Sequence, residues 1–200
     1  MYRLAVLASG NGSNLQALID AAAAGDLAAE VALVVADTHT AAALARADHA
    51  GIPTLVVERQ PGEARADYDA RLRDAVAPHR PDLVVLAGWM RILTPVFVGE
   101  FEVINLHPAL PGELPGMHAI ERAWQEALAG QRRASGVMVH RVPDAGVDDG
   151  PVLASAIVPI RLDDTFDTFA ARVHATEHRL LVDAVRDLIQ PPVTAEGAAR

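Results

Sequence analysis

The sequence predicts an α/β protein built on a mostly parallel sheet with helices on both faces. Three observations predict it. Short apolar runs alternate with amphipathic stretches from residue 4 onward. Several apolar runs are continuous rather than alternating, as strands covered on both faces are. Glycines stop the first helical stretches.

The elements follow in order. Leu4–Ala8 reads as a buried strand, Ser9-Gly-Asn-Gly-Ser13 as a turn, and Asn14–Ala24 as a helix stopped by Gly25. Val31–Ala36 is the second strand, and a helix over Ala41–Ala50 ends at Gly51. Pro53–Val57 is a third, shorter strand. A helix over Ala64–Ala77 precedes Asp82–Ala87, the strongest strand signal in the chain. Val103-Ile104 is a strand that ends in an Asn-x-His loop. A helix over Ala119–Ala129 stops at Gly130. Gly136–Arg141 and Pro151–Ile160 read as later strands. A long helix, Thr165–Ile189, closes one domain of residues 1–190, and residues 191–200 read as a loose tail.

Composition narrows the chemistry. At 200 residues and 51% apolar content the chain buries a full core as one domain. A net charge of −9 argues against a nucleic-acid surface, which needs clustered cations. All 17 basic residues are Arg. Without lysine there is neither a P-loop nucleotide site nor Schiff-base chemistry. Without cysteine there are no disulfides, thiolate nucleophiles or cysteine-held metals. No signal peptide and no membrane span is visible, so a cytoplasmic protein is expected.

In doubly wound sheets, ligands bind beyond the carboxyl ends of the strands. Gly10–Ser13, Gly88–Arg91 and Asn105–His107 all lie at such ends. Asn105-Leu106-His107-Pro108 offers an amide that can donate to an oxygen gaining negative charge, and an imidazole that moves protons near neutrality. The carboxylate to hold that imidazole is Asp148 or Asp149. Gly10-Asn-Gly-Ser-Asn14 joins a strand to a helix whose free N–H groups favour a phosphate monoester. A dinucleotide is disfavoured, because Leu15 stands where the third glycine would fall and Asp37 alone does not restore the pattern. Gly88–Leu93 mixes an aromatic, a thioether and a cation that could wall a flat heterocycle, or could be core packing plus one surface Arg. The arginines around Arg65 read by default as a solvated helix face. His174-Ala-Thr-Glu177-His178 has the inverted zinc-peptidase spacing, but no motif supplies a third ligand, and a charged helix face explains it without metal.

Taken in order, five motifs resemble the phosphoribosylglycinamide formyltransferases, folate-dependent enzymes of purine synthesis. They are Ser9–Gln16, Leu86–Leu93, Asn105–Pro108, Val139-His140 with Asp144–Pro151, and Glu177-His178. The resemblance implies a Rossmann-like formyltransferase fold. It implies formyl transfer from 10-formyltetrahydrofolate, a co-substrate, to the amine of glycinamide ribonucleotide, with no metal. It implies Asn105, His107 and Asp148 as catalytic, Asp148 being preferred over Asp149 by its place in the family pattern. Gly12, Ser13, Asn14 and Leu15 match the substrate-phosphate loop, and His174 and Glu177 the glycinamide side. Arg65, Met90, Arg91, Ile92, Leu93, Asp144 and Val147, with Asn105 and Asp148, match the folate site. The implied partners are two small molecules, no nucleic acid and no membrane, and a homodimer is admitted. In the implied mechanism Asp148 raises the His107 pKa by pairing with the charged ring.

One departure stands out. Many relatives carry Ser-Leu-Leu-Pro after the His-Pro; here Ala109-Leu110-Pro111-Gly112 moves the proline by one place, so a differently shaped loop is expected. Relatives acting on methionyl-tRNA or on formyl-folate alone share the Asn, His and Asp. The first should carry a nucleic-acid-binding domain after this one, and the second a regulatory domain before it.

Overall fold

The computed structural model describes residues 1–190; the tail expected at 191–200 lies outside them. Seven strands form one sheet: β1 (Tyr2–Leu7), β2 (Ala29–Ala36), β3 (Thr54–Val56), β4 (Leu83–Leu86), β5 (Val103–His107), β6 (Ala134–Arg141) and β7 (Val152–Pro159). The helices are α1 (Ser13–Ala24), α2 (Ala42–His49), α3 (Arg65–Val76), α4 (Pro95–Val98), α5 (Ala119–Leu128) and α6 (Phe166–Ile189). The strand order is β3-β2-β1-β4-β5-β6-β7. Strands β1 to β5 are parallel, whereas β6 and β7 pair antiparallel. The expected α/β architecture is present.

Alternation along each strand divides the core. Leu4, Val6, Leu83, Val85, Ile104 and Leu106 face α1 and α6. Ala5, Leu7, Val84, Leu86 and Val103 face α3 and α4, around Tyr68, Leu72 and Phe97. This second core takes in β1, β2, β4 and the start of β5, but no residue of β6. On the same face, β5 and β6 carry polar side chains, and the loops at 109–118 and 143–150 reach over them. No helix among the described residues is long and apolar enough to cross a membrane.

Strand β5 corrects an expectation. It runs through Asn105 and His107 instead of ending at Ile104, because β6 pairs with it as far as His107↔Met138. Both residues are therefore held by a sheet ladder, not by a loop. Helix α4, one turn after Thr94-Pro95, is too short to show as a periodicity in the sequence.

Candidate active site

Asn105 and His107 are two apart on β5, so they share a face. The cross-strand neighbour of Asn105 is His140. The β6–β7 loop folds back to bring Asp148 against all three. Asn105 Nδ2 donates to Asp148 Oδ1 at 3.0 Å and to His140 Nε2 at 3.1 Å. A reversed amide would set oxygen against carboxylate, so this orientation follows from Asp148 itself. His140 Nδ1 donates to the Arg141 carbonyl at 2.9 Å, which leaves Nε2 of the neutral ring as an acceptor.

Asp148 Oδ2 accepts the Gly116 N–H at 2.7 Å and stands 3.3 Å from His107 Nδ1. His107 Nε2 donates to the Leu114 carbonyl at 3.0 Å. Asp148 sits at φ 55, in the left-handed region, and so does Leu114 at φ 45. Asp tolerates that conformation; leucine does so at a cost of about 1 kcal/mol. Such backbone is held in place by its surroundings, here the polar contacts just described.

Asp148 raises the His107 pKa, as expected, but the net shift runs the other way. Burial lowers its pKa most, and His140 and Arg122 lower it further. Asp148 and the Leu114 carbonyl raise it without making up the difference, so it ends below the ordinary 6.5. Burial also pushes the Asp148 carboxyl up. The neighbouring His140, the Gly116 N–H and the His107 imidazole outweigh that and hold it below 3.8. Both shifts have the same consequence for stability. The neutral ring's contribution is complete above pH 6.5 and is lost as pH falls through its lower folded value. The carboxylate's contribution is likewise complete above its ordinary range and lost as pH falls through its own folded value.

A second feature lies at the ends of β1 and β4, where the strand order reverses direction. Ser9 N–H donates to the Gly88 carbonyl at 3.0 Å, and Ser9 Oγ accepts the Met90 N–H at 3.0 Å. Gly12, at φ 74, is the N-cap of α1, and no side chain caps that helix. The first N–H groups of α1 have no side-chain acceptor. Asn14 lies inside the helix, which begins at Ser13. The loop is held from α2: Ala43 N–H donates to the Gly10 carbonyl at 3.2 Å, and Arg46 grips Asn11 O at 2.8 Å and Asn11 Oδ1 at 2.9 Å. A groove of about 260 Å³ runs beside it, lined by Ser13, Gln16, Ala17, Asp20, Arg46 and His178.

Residues 2–185 match the model of the formyl transferase family. The chain belongs to that family. It is 43% identical to phosphoribosylglycinamide formyltransferase of Schizosaccharomyces pombe, over 93% of this chain and 96% of the relative. It is 40% identical to a trifunctional purine biosynthetic protein of Drosophila melanogaster, over 97% of this chain and 15% of that longer one. The crystal structure of phosphoribosylglycinamide formyltransferase from Bacillus halodurans superposes with a TM-score of 0.87 at 34% identity, covering 94% of this chain and 96% of the other.

In this formyl transferase the residues expected at a folate site differ in their surroundings. Leu93 is buried in the α3–α4 core beside Trp89, while Met90, Ile92 and Val147 leave apolar side chains exposed. Arg91 is not a surface cation. Its Nε donates to Asp37 Oδ2 at 2.7 Å and its guanidinium lies 5.3 Å from the centroid of the Tyr68 ring. Arg65 is the exposed first residue of α3, and Asp144 accepts the Gly146 N–H at 2.8 Å in the β6–β7 loop. On α6, Glu177 is buried and its Oε2 lies 2.7 Å from His174 Nδ1, a contact that raises the His174 pKa. Among the described residues, no three His, Asp or Glu side chains are grouped as a metal set.

The variant loop has a definite shape. Leu110 lies over Gly136, where any Cβ would meet Leu110 Cδ2 at 2.3 Å. Glu113 pairs with Arg132, and Arg122 reaches the Leu114 and Pro115 carbonyls. Sequence reasoning gave no role to His140, Arg122 or Arg46. Only His140 carried a signal, through its place in the Val139-His140 motif. The two arginines act through loops whose paths a linear pattern does not reveal.

Proposed function

We propose that this formyl transferase moves the formyl group of 10-formyltetrahydrofolate to the amine of glycinamide ribonucleotide. The products are N-formylglycinamide ribonucleotide and tetrahydrofolate, a step of de novo purine biosynthesis. The observation that carries the reading is the meeting of three side chains: Asn105 Nδ2 bonds Asp148 Oδ1 at 3.0 Å, and His107 Nδ1 stands 3.3 Å from Asp148 Oδ2. The uncapped start of α1 supplies a phosphate site at the same carboxyl-terminal edge of the parallel strands.

The amine nitrogen attacks the formyl carbon, and the carbonyl π pair moves onto oxygen. Asn105 Nδ2 is the donor for that oxygen. Both its hydrogens are engaged at rest, so it must let go of Asp148 while His140 keeps the other. The attacking nitrogen then sheds a proton. His107 Nδ1, whose lone pair faces Asp148 Oδ2 at 3.3 Å, takes it, directly or through water. The resulting imidazolium is flanked by two oxygens. As the tetrahedral intermediate collapses, the C–N10 bond breaks and N10 receives the proton. No covalent enzyme intermediate forms, and holding two substrates together supplies much of the rate.

The test is a spectrophotometric assay with 10-formyltetrahydrofolate, run with glycinamide ribonucleotide and without any acceptor. Loss of the formyl group only with the ribonucleotide present is the expected result. Release of formate without it would replace the transferase by a hydrolase. Ser13→Ala combined with Asn14→Ala is expected to raise KM for the ribonucleotide roughly tenfold, the order of one lost charge-assisted hydrogen bond, with little change for the folate. Equal effects on both substrates would remove the phosphate from the start of α1.

A further inference from the structure

The Leu114 carbonyl accepts two hydrogen bonds, from His107 Nε2 at 3.0 Å and from Arg122 Nη2 at 2.6 Å. The same Arg122 nitrogen also donates to the Pro115 carbonyl at 2.7 Å. One guanidinium in the first turns of α5 thus grips two successive carbonyls of the loop that covers His107. A carbonyl cannot donate, so His107 Nε2 must carry the hydrogen. In the neutral ring Nδ1 is then the bare atom, and it is the one that faces Asp148.

We infer that Arg122 is a positioning residue for His107: by sharing the Leu114 carbonyl it decides which ring nitrogen carries the proton, and it leaves Nδ1 open toward Asp148. The function of that open nitrogen rests on the transfer reading above; the tautomer itself does not.

The charged and titratable groups facing His107 are few. Asp148 comes from the β6–β7 loop, His140 from β6 and Arg122 from α5. Of these, Asp148 favours the charged ring, while His140 and Arg122 oppose it. Burial does most to keep the ring neutral until a proton arrives from the reaction, and the Arg122 cation on the carbonyl that His107 already uses adds to it. Leu114, held at φ 45, presents its carbonyl to both donors. Arg122 therefore acts in two ways, by aiming the acceptor and by repelling a charged imidazole.

A loop staple with no influence on His107 would behave differently, and imidazole 15N NMR titration of the full chain separates the two. Wild type is expected to show the Nε2–H tautomer and a titration midpoint below 6.5. Arg122→Met keeps the apolar stem and removes the charge. It is expected to raise the midpoint by about half to one pH unit and to populate the Nδ1–H tautomer. Arg122→Lys should restore the low midpoint. The acid limb of the kcat/KM profile should move with the midpoint, with KM for the ribonucleotide unchanged within about twofold. An unmoved midpoint and tautomer in a folded Arg122→Met protein would overturn the inference, as would a shift that Lys fails to reverse. Should the Met variant not fold, Arg122→Gln, which keeps an N–H donor without charge, decides: a raised midpoint supports the inference and an unchanged one overturns it. Because the titration needs no substrate, a failed transfer reading would leave this result standing and be visible separately in the assay.

Discussion

Asp148→Asn is expected to lower kcat for formyl transfer by roughly three orders of magnitude while KM for the ribonucleotide stays within about threefold. The carboxylate accepts Asn105 Nδ2 through one oxygen and the Gly116 N–H through the other, and it faces both His107 and His140. An asparagine keeps one acceptor and turns the other into a donor. It therefore cannot satisfy Asn105 and Gly116 together, and it cannot offset an imidazolium. The substitution isolates this chemistry because asparagine, like aspartate, tolerates the left-handed backbone at φ 55. The melting temperature is expected to fall by only a few degrees, about 1–2 kcal/mol for a chain of this size. Steady-state kinetics beside a thermal melt would check both parts. A kcat within tenfold of wild type would remove Asp148 from the mechanism.

Gly12→Ala is expected to destabilise the protein by roughly 3 kcal/mol, seen as a lowered urea midpoint, and to weaken ribonucleotide binding as well. Two effects combine there. The residue sits at φ 74, and an added Cβ would meet Ala43 Cα at 2.7 Å and Ala43 Cβ at 2.8 Å. The first is backbone and cannot swing away, so α2 must retreat, and with it the Arg46 grip on Asn11 and the Ala43 bond to Gly10. Gly25→Ala is the control. Gly25 has φ 80 but nothing within 4 Å of a built Cβ, so only the conformational cost of about 1 kcal/mol remains. If the two variants melted alike, close packing of the loop against α2 would have no energetic weight.

Much of this architecture could be read directly from residue order. Continuous apolar runs marked the buried strands, and Gly25 and Gly51 marked helix ends because left-handed closure there favours glycine. The i, i+2 spacing of Asn105 and His107 made them neighbours in any extended chain. What could not be read depended on tertiary register. Strand direction is absent from an apolar run, so the antiparallel turn of β6 and β7 was hidden, and with it His140 as the neighbour of Asn105. The direction of the His107 shift turned on burial, which a motif does not report. The pairing of Arg91 could not be read because its partner Asp37 lies 54 residues away, at the end of β2. The role of Arg122 required the path of the loop from Ala109 to Gly116, in which three residues adopt positive φ.

Both hydrogens of the Asn105 amide are already spoken for in the resting protein, and this governs which molecules the site can hold tightly. Any newcomer must displace a carboxylate oxygen instead of filling an idle donor. A planar amide carbonyl is the weaker acceptor in that exchange, and an alkoxide the stronger. Folate analogues that place an ionised tetrahedral oxygen at the formyl position should therefore gain far more affinity here than amides of the same shape. The closed resting network would in that way refuse the ground state and reserve its donor for the tetrahedral adduct.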